Sequence, residues 1–328
     1  MRNVRAPCVV LLAGGVGGAR MAEGLRRALP AASLTVVVNV GDDDWFHGLR
    51  VCPDLDTVLY TLSGRVNKAQ AWGVEGDGTR ALQVLKQLGA QDTWMTLGDA
   101  DLGLHLHRTQ RLRAGVRLTQ VTEEVAQAFG VAVRVLPASD EPVATTIETV
   151  QGTLRFQEWF VARRCAPQVT RIGLDGAHAA HTTVQVEQAL ALADLVVFAP
   201  SNPLLSILPM LMVQGMAAAL GASRAAKVVV SPLINGQAVK GPLHTLMRDL
   251  RYAPGNAGIA DFYKGLVEGI AIDASDEVDR AALEAAGLRT LTASTRIGTG
   301  ELAEAFARRL LAWSIGWAGA PRGQEQSV

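Results

Sequence analysis

The stretch Cys8 to Leu29, CVVLLAGGVGGARMAEGLRRAL, runs an unbroken apolar segment into a glycine turn and then into residues spaced for an amphipathic helix. Cys8 to Ala13 reads as a buried strand, Gly14 to Arg20 as the turn and Met21 to Leu29 as the helix. Strand, glycine turn and helix in that order make a phosphate cradle. Glycines let backbone N–H groups come close to an oxyanion, and the helix amino terminus adds partial positive charge. Arg20 falls in the first turn, within reach of the same anion. The spacing departs from a dinucleotide fingerprint. Gly15-x-Gly17 is followed by Arg20 where a third glycine would stand, and the next strand ends in Asn39 where an acidic residue would hold an NAD ribose. A nicotinamide dehydrogenase is therefore disfavoured.

Outward from this unit, Val36 to Tyr60 reads VVVNVGDDDWFHGLRVCPDLDTVLY, with Asp42, Asp43, Asp44, Asp54 and Asp56 set between two apolar runs. Val36 to Val38 predicts a second buried strand, so Asp42 to Asp44 sit at a strand's carboxyl end, where open α/β sheets bind ligands. Pro53 suits the first turn of a helix, and Asp54-Leu55-Asp56 begins the run through Tyr60. Two groups of carboxylates then converge on one crevice. Carboxylates brought close raise each other's pKa unless a cation neutralises them, which points to a divalent metal.

The strand–loop–helix pattern recurs. Leu195 to Ala199 leads into Ser201 and Asn202, a second candidate anion nest, and Lys227 to Val230 leads into Ser231 and Pro232. The expected fold is Rossmann-like, a three-layer α/β/α with a mostly parallel sheet, plus a smaller hairpin and helical subdomain. It is read as one α/β domain over 1–318, with the smaller lobe inserted around 62–165 and a frayed tail at 319–328. Val143 to Val150 and Thr153 to Phe156 predict a hairpin around Gln151-Gly152. Gln120 to Phe129 predicts a helix capped by Thr119. Trp159 and Phe160 read as core. Past Leu97-Gly98-Asp99 a helix would carry Asp101, His105 and Arg108 on one face, suited to an anionic substrate or to solvent. The pair His105 and His107 diverges on a helix and makes a poor metal signal.

Composition sets the outer limits. The chain has 328 residues, 49% of them apolar, with 31 basic against 31 acidic side chains. That balance argues against a nucleic-acid binder driven by a strong field. Cys8, Cys52 and Cys165 are widely spaced and form no zinc pattern, which suits a reducing cytoplasm. No apolar run reaches the ~18 residues needed to span a bilayer, and the amino terminus lacks a cleavage pattern.

Eight blocks carry a resemblance: GGVGGAR (Gly14 to Arg20), NVGDDDWFHGL (Asn39 to Leu49), CPDLDTVLYTL (Cys52 to Leu62), LGDADLGLHLHRT (Leu97 to Thr109), PASDEPV (Pro137 to Val143), FQEWFV (Phe156 to Val161), APSNPLLSILP (Ala199 to Pro209) and SPLINGQAVKGP (Ser231 to Pro242). In this order they resemble the 2-phospho-L-lactate transferase family, whose bacterial members include phosphoenolpyruvate transferases and which makes the precursor of coenzyme F-420. The resemblance implies a Mg²⁺-dependent transferase. It would move a phospholactyl, phosphoenolpyruvyl or phosphoglyceryl group from a guanosine-diphosphate-linked donor to the deazaflavin Fo, releasing GMP. It implies small-molecule partners only and, by family habit, a homodimer.

Carried over residue by residue, the metal falls on Asp43 with Asp54 or Asp42 nearby. Asp56 contacts or deprotonates the Fo hydroxyl, with Thr96 and Asp99 beside it. Gly15, Gly17, Gly18 and Arg20 take the diphosphate, and Ser201, Asn202 and Lys240 line the guanosine side. The chain departs from the family at Leu208 and Asn235, positions that often hold glycine, both in the nucleotide half. The rival reading is a nucleotide-sugar-binding regulator of the gluconeogenesis-factor type, without chemistry. Which three-carbon acid is carried depends on pocket shape.

Overall fold

Strand β1 (Val9–Ala13) is buried at every residue, because it lies inside the sheet with both faces covered. The computed structural model describes residues 6–239 and 241–318; Lys240 and the tail 319–328, which carried two of the expectations, lie outside the described residues. The other strands of the main sheet are β2 (Leu34–Val38), β3 (Arg134–Pro137), β4 (Leu195–Phe198), β5 (Ala226–Val230), β6 (Gly269–Asp273) and β7 (Arg289–Ala293). They line up as β7-β6-β5-β4-β1-β2-β3, every pair parallel. Leu11 stands opposite Val36 on one side and Val197 on the other. Strand order reverses between β1 and β4, so a crevice opens there at the carboxyl ends. The Rossmann-like reading is the fold observed.

Helices cover both faces. Helix α1 (Gly15–Ala28) starts six residues earlier than the periodicity predicts, because the glycine turn is itself the helix's first turns. It packs on the long helix Glu301–Ala318: a Cβ on Gly24 would stand 2.4 Å from the Ala303 carbonyl oxygen, so the crossing needs a bare backbone. Helix α2 (Pro53–Leu62) begins at Pro53 as read, with Asp54 and Asp56 in its first turn.

The span 62–165 holds helices Arg80–Gln87, α3 (Asp99–Arg113) and Leu118–Ala128, but within it Arg134–Pro137 serves as an edge of the main sheet. A separate antiparallel sheet joins Ala144–Thr149 to Gly152–Arg155 and to Val169–Asp175. The hairpin of these first two strands turns where the sequence places it. The cap of Leu118–Ala128 differs from expectation: Asp140 accepts the Thr119 N–H at 2.6 Å, and the Thr119 hydroxyl has no partner. A carboxylate from the following loop does the capping, which local spacing cannot reveal. Two short ribbons add to the elements expected from the sequence. Asp44–Phe46 pairs with Leu49–Val51 through His47-Gly48, and Leu233–Ile234 pairs with Gln237–Ala238 through Asn235-Gly236. All four turn residues have positive φ, the geometry two-residue hairpins require. Among the described residues no helix is long and apolar enough to cross a membrane.

Candidate active site

The crevice at the switch point is a cleft of about 740 Å³. Its floor is the turn Gly14, Gly15, Val16 and Gly17, with Arg20 beside it. Asp42, Asp54 and Asp56 form one flank, and Ser201, Asn202 and Ser206 come from the loop after β4. Sequence order scatters these residues; the sheet brings them to one edge.

The glycines have separate jobs. A Cβ on Gly17 would sit 2.2 Å from the Pro200 carbonyl oxygen, and one on Gly18 would press on Ala13 and Ser201, so both let β1 and α1 lie against the β4 loop. Gly15 has φ +61° and donates its N–H to Asp54 Oδ1 at 2.6 Å. Ser201 closes the junction: its Oγ accepts from Gly14 N at 3.1 Å and donates to Gly14 O at 2.7 Å. Asn202 Oδ1 accepts from Leu204 and Leu205 N–H, capping the turn that follows. Arg20 lines the cleft with its buried Nε unpartnered, which is how a guanidinium waiting for an anion presents itself. Gly17→Ala is expected to destabilise the ligand-free protein by about 2–3 kcal/mol, since backbone must move to admit the methyl. Thermal melts without substrate check this, and an unshifted midpoint would mean that the glycine serves a ligand alone.

The acidic flank is organised by Asn39. Its Nδ2 donates to Asp42 Oδ1 at 2.6 Å and to Asp54 Oδ2 at 3.0 Å, while its Oδ1 accepts the Gly41 N–H. Burial, and less strongly the charge of Asp56, push the Asp54 carboxyl up to about 6 despite the bonds from Asn39 and Gly15. Asp42, half-buried at the wall, is driven well above the usual carboxylate range by burial and then by Asp54.

Asp43 stands elsewhere. It does not line the cleft; its Oδ2 takes Arg50 Nη2 at 3.3 Å, and its Oδ1 is buried without a partner. Burial pushes it up to about 6, with Arg50 opposing. The chain turns tightly after Gly41, with Asp43 N–H on Val40 O, so neighbouring carboxylates point different ways. Asp44 likewise leaves, to Arg155 at 3.1 Å.

The second polar cluster joins α2 to α3. Asp101, His105 and Arg108 do share one face, and that face meets Asp56 and Tyr60. Arg108 forks onto both oxygens of Asp56, with Nη1 to Oδ2 at 3.1 Å and Nη2 on Oδ1. Burial disfavours the Arg108 cation, but Asp56 more than restores it. His105 Nδ1 lies 3.7 Å from Asp56 Oδ2 and its Nε2 3.4 Å from Asp101 Oδ2, while Tyr60 donates to Asp101 Oδ1 at 2.7 Å. Burial raises the Tyr60 hydroxyl far above its ordinary range, with Asp56 adding to it. Ligand atoms of Asp56, Asp101 and His105 lie within 4.8 Å of one another. Both Asp56 oxygens are already taken by guanidinium, so a cation there would face Arg108 directly. His107 points outward, to Glu124 at 3.4 Å.

Thr96 lines the cleft; Asp99 does not. The Asp99 carboxylate accepts from Ala81 and Arg80 N–H at 3.0 and 3.1 Å, bonds that hold it below the usual range and cap the helix Arg80–Gln87. Part of the lining is apolar: Trp72, Met95, Phe156 and Phe160, the last two stacked at 5.4 Å. Trp159 is core as read, whereas Phe160 is 38% exposed in this part.

Residues 9–294 match the model of the family described as 2-phospho-L-lactate transferase CofD. This chain belongs to the CofD family. It is 36% identical over 287 residues to the 2-phospho-L-lactate transferase of Methanosarcina acetivorans, covering 88% of this chain and 92% of that one. It is 40% identical over 287 residues to the phosphoenolpyruvate transferase of Kitasatospora aureofaciens, covering 85% and 89%. A crystal structure of a UPF0052-family protein from Bacillus halodurans shares the fold, with a TM-score of 0.62 at 20% identity over 94% of this chain and 100% of that one.

Several residues of this CofD-family cleft escaped the sequence reading. In the sequence Asn39 stands only where an NAD-binding acid would be; its role as bridge between two carboxylates needs the fold. Thr295 and Arg296 line the cleft just after β7, beyond Pro242 where the matching blocks stop.

Proposed function

We propose that this CofD-family transferase moves a phospho-acid from a guanosine-diphosphate-linked donor to the deazaflavin Fo, releasing GMP and forming the precursor of coenzyme F-420. One contrast carries the reading. Asp43 and Asp56 are each paired with a guanidinium, whereas Asp42 and Asp54, at the cleft wall beside the glycine turn, have no cationic partner among the described residues. Two hard oxygen ligands held together without positive charge fit Mg²⁺. Bound there by Asp42 and Asp54, the ion would neutralise charge developing on phosphoryl oxygens.

The chain's own groups do the rest. The helix end at Gly15 to Gly17 and the Arg20 guanidinium hold the diphosphate. The apolar lining of Trp72, Met95, Phe156 and Phe160 takes a flat ring system and keeps water out. Asp56, fixed by Arg108, accepts the hydrogen bond of the Fo hydroxyl and aims its oxygen at the phosphorus bearing the acid. That O–P bond forms as the bond to the bridging oxygen breaks, and GMP leaves. Incubating the protein with Fo, Mg²⁺ and each of the three donors, and measuring GMP release and product mass, tests the reading. No release with any donor would leave the nucleotide-sugar-binding regulator ahead.

A pH effect follows from the unpaired carboxylates. Asp54 goes from an ordinary value of 3.8 to about 6 on folding, so between these values the folded chain holds a proton that the unfolded chain has lost. Stability of the metal-free protein therefore falls as pH rises from about 4 through 6 and stays lower above. Mg²⁺ binds the ionised pair, so its gain in thermal midpoint should be larger at pH 8 than at pH 5. Melts with magnesium or with a chelator at both pH values check this; equal gains would count against the site.

A further inference from the structure

Two segments of the apolar lining come from distant parts of the chain. Met95, Thr96 and Leu97 close the irregular stretch ahead of α3, and Phe156 follows directly on the hairpin strand Gly152–Arg155. One side chain ties both to a third element. Arg155 Nη1 donates to Asp44 Oδ2 at 3.1 Å, and its Nη2 donates to Asp92 Oδ2 at 2.9 Å. Asp44 opens the ribbon Asp44–Phe46, and Asp92 heads the turn that leads into Met95. The guanidinium carbon also stands 5.6 Å from the Phe46 ring centre and 6.0 Å from that of Trp94, two rings set edge to face at 5.6 Å. Forking to two carboxylates while facing rings suits a planar guanidinium and not an ammonium.

The turn at Asp92 belongs to no helix or strand, so its place is set by side chains. Asp92 has φ +57°, a left-handed conformation that a residue other than glycine adopts at some cost and that its surroundings must hold. Its Oδ1 accepts Trp94 Nε1 and its carbonyl accepts Met95 N–H, both at 3.1 Å, and these bonds shape the turn from within. Oδ2 is left for Arg155, which fixes the turn against the hairpin. Trp94 and Met95 then pack on the buried cluster of Phe46, Val51 and Leu97. The Arg155 and Asp92 side chains are 40% and 32% exposed, and ion pairs so exposed add little to global stability. Such ties govern where the turn sits more than whether the chain folds.

We infer that Arg155 is a positioning residue for the acceptor, a role that rests on the acceptor site proposed above. By holding the Asp92 turn and the Asp44 ribbon to the hairpin, it fixes Met95 and Thr96 relative to Phe156, so that the flat ring system meets a slot already formed. A preformed slot spares the cost of ordering the turn when the ring binds. The partners of Arg155 lie outside the glycine turn and outside the loop after β4, so donor binding keeps its own contacts when the ties are cut.

The test titrates Fo into the protein with Mg²⁺ and no donor, then measures kcat and both KM values with donor present. Arg155→Met keeps the apolar stem and cuts both ties. Its Kd and KM for Fo should rise about five- to tenfold, with KM for the donor and kcat within about twofold. Asp92→Asn keeps the Trp94 bond through its carbonyl oxygen and loses the tie at Oδ2; its Kd for Fo should rise about threefold, and it stands in if Arg155→Met does not fold. Because that tie is lost only once, the double variant should bind Fo no more weakly than Arg155→Met. Arg155→Lys, a point charge in place of a fork, should recover only part of the affinity. Additive losses in the double variant would mean that Arg155 touches Fo directly. That result, equal shifts in the two KM values, or a wild-type Kd in both single variants would overturn the positioning role and leave the acceptor site standing. A wild-type protein that binds no Fo would overturn the acceptor site and this role with it. One that binds Fo but releases no GMP would overturn the transfer alone, and the Kd values would still decide the role of Arg155.

Discussion

Asp54→Asn is expected to lower Mg²⁺-dependent transfer by about 10³-fold or more, equivalent to about 4 kcal/mol of barrier, while the protein stays folded. Asp54 is the residue on which the cleft's halves meet: Oδ1 takes the Gly15 N–H of the glycine turn, and Oδ2 shares the Asn39 amide with Asp42. The amide removes the charge that a cation needs. It also turns the contact with Asn39 Nδ2 from donor–acceptor into donor–donor, a loss of about 1 kcal/mol that the fold can absorb. The Mg²⁺-induced gain in melting temperature should disappear together with activity. Asp43→Asn offers the contrast. Its carboxylate faces Arg50 and away from the cleft, so its loss should weaken the fold by unpairing a buried guanidinium and should leave the Mg²⁺ response in place. A wild-type Mg²⁺ response in Asp54→Asn, or its loss in Asp43→Asn alone, would move the ion to Asp43, where the family resemblance places it.

Arg108→Met should destabilise the protein by about 3–5 kcal/mol. Its guanidinium is buried on the Asp56 carboxylate, also buried, and methionine keeps the apolar stem while leaving that charge unpaired. Adding Asp56→Asn to the same chain removes the stranded charge, so the double variant should recover most of the lost stability and none of the activity. Denaturant melts of the two single variants and the double variant give the coupling directly. An Arg108→Met protein within about 1 kcal/mol of the parent would show that water reaches the pair and that the cluster is not the dry site argued above.

How much of this is legible in the chain depends on the range over which each feature is set. Val9 to Ala13 and Leu34 to Val38 announce buried parallel strands because both of their faces must be apolar, a local requirement visible in composition. Pro53 announces a helix start because its ring suits the first turn and no other. Asp101, His105 and Arg108 share a face because the helical period puts them there. In contrast, the ribbon at Asp44 to Val51 turns on His47-Gly48, a pair with weak turn chemistry, and it passes unnoticed. Asn235-Gly236 does carry the strongest two-residue turn signal, although in the family comparison of blocks it stands out only as a departure from glycine. Asp99, next to a matched motif, becomes a helix cap because the loop ahead of Arg80 folds back onto it from 19 residues away.

The sequence by itself determined the layered α/β fold, the glycine turn at its switch point and the gathering of acidic residues near it, since period, glycine spacing and strand-end position are properties of short segments. Tertiary structure alone decided which carboxylates act together. Asp42, Asp43, Asp54 and Asp56 are alike as letters; their difference is the partner each meets across the fold, an amide shared by two of them and a guanidinium for each of the others. Pairing energies at that edge depend on distances between residues far apart in the chain, and no local pattern carries them.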